Sequence, residues 1–169
     1  MNQNQNDDLG KVTVKNFFQK NIKIPEYQRP YLWSKDQVET LLQDFFQIFE
    51  SDPKKIYLIG NMIFYKSEES LEIVDGQQRT ITLALLLYAL EDISSTSFLQ
   101  DISIENPLSK KAIYDNYQVI CNYIDRVVND KKEDFLMFVN ENIFTTYITA
   151  KTQDEAFIFF DSQNTRGKP

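Results

Sequence analysis

The chain contains no histidine. That single absence removes the serine–histidine pair of acyl-transfer enzymes, histidine-ligated zinc and histidine-based nuclease chemistry. One cysteine, Cys121, leaves no internal disulfide and no Cys-x-x-Cys or zinc-finger spacing, and it points to a cytoplasmic setting. Mid-helix, Cys121 reads as half-buried and inert. Glycine and proline are scarce, at 4 and 5 of 169 residues, which argues against disorder, solenoids and long flexible linkers. Long apolar runs are missing too. The longest, Ile81 to Leu90, is broken by Thr82 and falls short of the roughly 20 residues that cross a bilayer, so no membrane partner is expected. The polar, Asn/Gln-rich start, Met1 to Asp8, does not read as a signal peptide.

Basic charge is also lacking. Lys and Arg number 18 against 25 Asp and Glu, a net charge of −7. Proteins that coat DNA are basic, because affinity for the phosphate backbone comes from Lys and Arg. Contact with DNA is therefore expected only through a local patch or a partner. No Gly-x-x-x-x-Gly-Lys-Ser/Thr loop and no Gly-x-Gly-x-x-Gly fingerprint occurs, and the acidic residues lack the regular spacing of a metal loop.

What is present is ordinary for a globular domain: 42% hydrophobic and 25% charged residues, with 13 Phe and 9 Tyr to build an aromatic core. A chain this long can bury roughly 70% of its unfolded surface. Residues 1–10 read as a disordered lead and 11–169 as one domain. A short helix is expected over Thr13 to Gln19, then a brief strand at Ile22-Lys23-Ile24. Pro25 to Trp33 is aromatic, bounded by prolines and irregular. Ser34 and Gln37 form a capping box. The helix it opens places Val38, Leu41, Leu42, Phe45, Ile48 and Phe49 on one face. Tyr57 to Tyr65 reads as a buried strand, with Gly60-Asn61 marking a bulge or a close backbone approach. Lys66 to Ser70 is a turn, and Leu71 to Val74 the returning strand. Gln77 to Asp92 is a helix apolar on nearly all sides and so central to the core. Ser94 to Asn106 reads as a polar connection. A helix from about Leu108 to Val128 turns Ile113, Tyr117, Ile120, Ile124 and Val127 to one side. A short helix, Lys131 to Asn142, and a strand, Ile143 to Thr149, follow. Thr152 and Glu155 form a second capping box, opening a helix with Ala156, Phe157 and Phe160 inward. Asp161 to Pro169 reads as a polar turn.

Three stretches stand out chemically. Asp75-Gly76-Gln77-Gln78-Arg79 lies where a strand becomes a helix. As helix initiation, Asp75 is the N-cap, Gln78 its capping-box partner, and Gly76 eases the turn. As a ligand site, the free amides and positive end of the helix suit phosphate. Arg79, a cation opposing the helix dipole, then calls for an anion, and Asp75 holds a metal ion or positions water. Tyr27-Gln28-Arg29, with Tyr31 and Trp33, reads either as an aromatic loop over the core or as a pocket wall. Asn164-Thr165-Arg166-Gly167 is either a helix C-terminal cap or part of the same pocket.

In order and spacing, these stretches resemble one family. Ile24-Pro25-Glu26-Tyr27-Gln28-Arg29-Pro30-Tyr31-Leu32-Trp33, Gly60-Asn61, Ile73-Val74-Asp75-Gly76-Gln77-Gln78-Arg79-Thr80, and Phe160 with Asn164-Thr165-Arg166-Gly167 are similar to the N-terminal domain of GmrSD-type modification-dependent restriction enzymes. The resemblance runs from about residue 13 to the last. It implies an α+β fold of the ParB/sulfiredoxin kind, a small sheet packed with helices and a phosphate site at a helix N-terminus. It implies binding and hydrolysis of a nucleoside triphosphate, with Mg²⁺, in bacterial defence against phage. The implied catalytic residues are Asp75, Gln78 and Arg79, with Asp75 holding a Mg²⁺ ion or orienting the attacking water. The implied nucleotide-binding residues are Tyr27, Gln28, Arg29, Gly76, Gln77, Thr80, Asn164, Arg166 and Gly167. DNA cutting in such systems falls to a histidine-containing nuclease domain. Without histidine, this chain is expected to be shortened before that domain or to meet it on another subunit. The alternative is a non-catalytic sensor of modified DNA or of a partner nuclease.

Overall fold

The computed structural model describes residues 9–102 and 105–166, without the side chain of Arg166. Five strands, β1 (Leu9–Thr13), β2 (Ile22–Lys23), β3 (Tyr57–Lys66), β4 (Leu71–Asp75) and β5 (Ile143–Ala150), form one mixed sheet in the order β1-β5-β3-β4-β2. The described helices are α1 (Val14–Phe17), α2 (Lys35–Ser51), α3 (Gln77–Ala89), α4 (Thr96–Asp101), α5 (Pro107–Tyr123), α6 (Lys132–Asn142) and α7 (Gln153–Arg166). The architecture is α+β, as the sequence led one to expect. Among the described residues, no helix is long and apolar enough to cross a membrane.

The β3–β4 hairpin pairs antiparallel, and β5 lies parallel to β3 on its other side. Alternation along β3 sends its side chains to two layers. Met62 and Phe64 enter the main core with Phe17, Phe45, Ile73 and Phe135. Ile63 turns to the opposite face, where Val74, Ala150 and Ala156 meet Phe159 and Phe160 of α7. Helix α3 fills the main core: every residue from Thr80 to Leu87 is buried. Its near-uniform apolar surface is what allows this, because a helix packed on all sides has no face to give to water. The capping box at the start of α2 forms with both of its bonds, and Val38, Leu41, Leu42, Phe45 and Phe49 point inward.

Several sequence expectations are corrected. Leu9 and Gly10 belong to β1, paired with Ile148 and Tyr147, so the expected lead does not extend to residue 10; residues 1–8 lie outside the described residues. The 94–106 connection contains α4, anchored by buried Phe98. In the long helix, Val127 is exposed and Val128 is buried. The cause is a change from α to π geometry over Ile124–Val128, which advances the inward face by a residue. The second capping box forms by half. Thr152 Oγ1 accepts from the Glu155 amide, but the Glu155 carboxylate accepts from the Lys151 amide. Phe157 is exposed, and Phe159 takes the inward place beside Phe160. Asp161 to Arg166 continues α7 and is not a turn.

Candidate functional site

Helix α3 starts at Gly76, whose φ of 102° lies in the left-handed region. A β-carbon there would meet Met62 Cγ at 3.0 Å and Sδ at 3.1 Å. Both the turn and the close approach to β3 therefore require glycine. The expected Asp75–Gln78 capping box does not form: Gly76 is the N-cap, no side chain caps the helix, and Asp75 is the last residue of β4. The buried Thr80 hydroxyl donates to the Gly76 carbonyl at 2.9 Å, so it secures the turn from inside.

The two glutamines are fasteners. Gln78 Oε1 accepts from the amides of Leu32 (2.8 Å) and Trp33 (3.1 Å), and its Nε2 donates to the Pro30 carbonyl (3.0 Å). Gln77 Nε2 donates to the Arg29 carbonyl at 2.8 Å. Gln28 reaches the other way, donating to the carbonyls of Ile73 and Val74 at the end of β4. A proline-bounded loop has no sheet or helix to satisfy its backbone groups, so these amides supply the partners. Beneath the loop runs a buried polar chain. Tyr31 Oη bonds Thr82 Oγ1 at 2.8 Å and accepts from Asn116 Nδ2 at 3.0 Å. Asn116 also donates to the Trp33 carbonyl, and Ser109 Oγ accepts from the Tyr31 amide. Burial pushes the Tyr31 hydroxyl above its ordinary pKa, against the opposing pull of Thr82 and Asn116.

Arg79 is committed to β3. Its guanidinium donates to the carbonyls of Ile59 (3.2 Å) and Asn61 (2.7 Å) and stands 3.9 Å from the Asp75 carboxylate. Those carbonyls belong to the bulge that the sequence marked at Gly60-Asn61, where the β3–β5 register shifts. Thr145 Oγ1 donates to the Gly60 carbonyl, and Thr146 Oγ1 bonds Asn61 Oδ1. Arg29 is different. It is exposed and, among the described residues, its guanidinium makes no hydrogen bond or ion pair.

These groups enclose a cleft of about 190 Å³ lined by Gln28, Arg29, Trp33 and residues 74–79. A second cleft of about 410 Å³ adjoins it and shares Gln28, Arg29 and Gln77 as lining. Among the described residues, Asp75 is the one carboxylate lining the smaller cleft. Among the described residues, no group of three or more His, Cys, Asp or Glu is placed to hold a metal ion. The amides of Gln77, Gln78 and Arg79 lie in the first helical turn, where the helix offers no carbonyl to them.

The structure thus brings together Gln28, Arg29, Asp75, Gly76, Gln77, Gln78 and Arg79. Tyr27 is not among the cleft's lining residues. It is half exposed, and its hydroxyl is pushed up first by burial and then by Glu72 and Tyr65, which places it beside the hairpin. Asn164 is exposed on α7 and lines neither cleft. The Arg166 side chain and Gly167 lie outside the described residues. Trp33, read from sequence as loop or pocket wall, lines the smaller cleft, whereas Met62, which packs against Gly76, was not singled out. Asn116 had a legible signal, a polar residue on the apolar stripe of Ile113, Ile120 and Ile124.

Fold and cleft together define the class: an α+β domain whose cleft sits at a strand-to-helix junction. The family model described as the N-terminal domain of GmrSD restriction endonuclease matches residues 14–169, and the chain belongs to this family. No curated protein matches the chain significantly.

Proposed function

We propose that this domain binds a nucleoside triphosphate in the cleft at the start of α3 and hydrolyses it in support of DNA restriction. The carrying observation is Arg29, a guanidinium without a partner among the described residues, on the wall of the cleft at the first turn of α3. Amides at a helix start carry the positive end of the helix and suit phosphate, and a guanidinium binds phosphate through paired donors. The ParB/sulfiredoxin likeness, with its phosphate site at a helix N-terminus, belongs to the same reading.

On this reading Arg29 and the amides of residues 77–79 hold phosphate. Mg²⁺ is commonly held by one or two carboxylates together with substrate phosphates, so the lone Asp75 fits an ion that arrives with the nucleotide. Such an ion neutralises charge on the transferred phosphoryl group. Asp75 holds the ion or orients water. Gln77, Gln78 and Arg79 act through others: the glutamines position Arg29 and Trp33, and Arg79 positions Asp75. The domain's acid charge leaves DNA contact to a local patch or a partner, and strand cleavage to a histidine-containing nuclease domain or subunit.

One observation favours a second reading, a sensor without turnover. Gln77 Nε2, both ends of the Gln78 amide and Nη1 and Nη2 of Arg79 bond backbone groups, which leaves few side-chain groups to activate water. Phosphate release with ATP, GTP, CTP and UTP in Mg²⁺, measured beside calorimetric binding, separates the two. Turnover supports hydrolysis and tight binding without turnover supports the sensor. No binding to any nucleotide removes both.

A further inference from the structure

We infer that the larger cleft, bounded by residues 24–31 and the start of α5, holds the nucleoside half of the ligand, so that the domain selects nucleotides over bare polyphosphate. This rests on the phosphate reading of the smaller cleft. Size gives the first reason. Pockets that enclose a small organic ligand span roughly 300–1,000 Å³. The smaller cleft, at about 190 Å³, has room for phosphate but not for a whole nucleotide. Its neighbour, at about 410 Å³, lies in that range.

Continuity gives the second. Gln28, Arg29 and Gln77 line both clefts, so a ligand can extend from one into the other past Arg29. Gln28 and Gln77 are held by backbone carbonyls on β4 and the loop, which fixes the shared wall, while the Arg29 guanidinium at the junction has no partner among the described residues.

Chemistry gives the third. Ile24, Ile81, Ile102 and Ile113 give the larger cleft apolar patches among polar groups, and the smaller cleft has fewer apolar side chains in its lining. Glu26 and Glu105 add carboxylates at exposed positions. An ionised carboxylate only accepts hydrogen bonds. Apolar patches beside acceptors suit a flat ring whose faces are apolar and whose edge carries N–H donors. They do not suit a further phosphate, which the carboxylates would repel.

The test uses the whole chain. Calorimetry compares ATP, GTP, CTP and UTP with inorganic tripolyphosphate, each with Mg²⁺, and photolabelling with 8-azido-ATP maps the base by mass spectrometry. The inference predicts that at least one nucleotide binds ten-fold or more tightly than tripolyphosphate. It also predicts an adduct, competed by unlabelled ATP, within residues 24–31, at Ile102 or within residues 105–113. Equal affinity for tripolyphosphate and all four nucleotides overturns it and leaves the phosphate site standing. So does a competed adduct elsewhere, or none. Failure of every ligand to bind overturns both.

Discussion

Arg79 and Gly60 fit only as a pair: a β-carbon at position 60 would overlap Arg79 Nη1, and Gly60 itself holds a φ of 126°. The guanidinium fills the space that any other side chain would take, and it ties the two carbonyls flanking the glycine to the start of α3. The strand bulge and the helix turn are thereby one unit. Gly60→Ala should destabilise the fold by about 1–3 kcal/mol through backbone strain alone, with a further loss as Arg79 is displaced. Urea denaturation of the two proteins measures it. An unchanged midpoint would show that the bulge does not need this pairing.

Gln78 fastens the aromatic loop with three bonds to backbone groups of residues 30–33. Gln78→Ala should cost roughly 1–3 kcal/mol, mostly the penalty for stranding the half-buried partners at Pro30 and Trp33. It should also speed amide exchange at Leu32 and Trp33. Exchange at wild-type rates would mean that the loop is held by its other contacts alone.

Tyr31→Phe deletes the hydroxyl shared by Thr82 and Asn116 without changing the ring. The expected loss is about 1–2 kcal/mol, larger than for Tyr27→Phe, whose side chain is half exposed. Thermal unfolding of the two variants side by side gives the comparison. Equal losses would remove the buried chain from the account of loop placement.

Asp92 supplies a pH dependence. Burial pushes its carboxyl pKa up, but bonds from the Asn140 amide and the Ser94 backbone, with the charge of Lys15, outweigh it and hold the group below its usual value. A depressed folded-state value contributes stability that is present above the unfolded pKa of about 3.9. That stability is lost as pH falls through the lower, folded value. Asp92→Asn should therefore flatten the acid limb of the stability–pH curve between about pH 2 and 5 while leaving the shape above pH 6 unchanged. An identical acid limb in the variant would contradict this.

Local signals in the sequence carried a good share of the fold. Ser34 and Gln37 are three residues apart and close a capping box that needs nothing else. Gly60-Asn61 broke an apolar strand and proved to be a bulge. The apolar girth of residues 80–87 marked the central helix. Non-local partners were hidden. Gln78 looked like a capping residue because its true partners lie more than forty positions back along the chain. Arg79 looked like a free cation because the carbonyls that bind it come from another strand, and nothing local reveals that. Arg29 read as one of three similar residues in its loop, and only the fold separates it from Tyr27, which lies by the hairpin. The π turn at Ile124 shifted the buried face from Val127 to Val128, an offset that a regular 3.6-residue period cannot anticipate.

The central claim is that Arg29, not Arg79, supplies the cation for phosphate. Calorimetric titration of Arg29→Ala with the nucleoside triphosphate that binds the wild type most tightly, in Mg²⁺, tests it most directly. Because the Arg29 guanidinium is exposed and unpaired among the described residues, the variant should keep its melting temperature without ligand. Loss of a charge-assisted bond worth about 1.5–3 kcal/mol should weaken nucleotide binding by roughly 10- to 100-fold. Wild-type affinity in a folded Arg29→Ala protein would contradict the account.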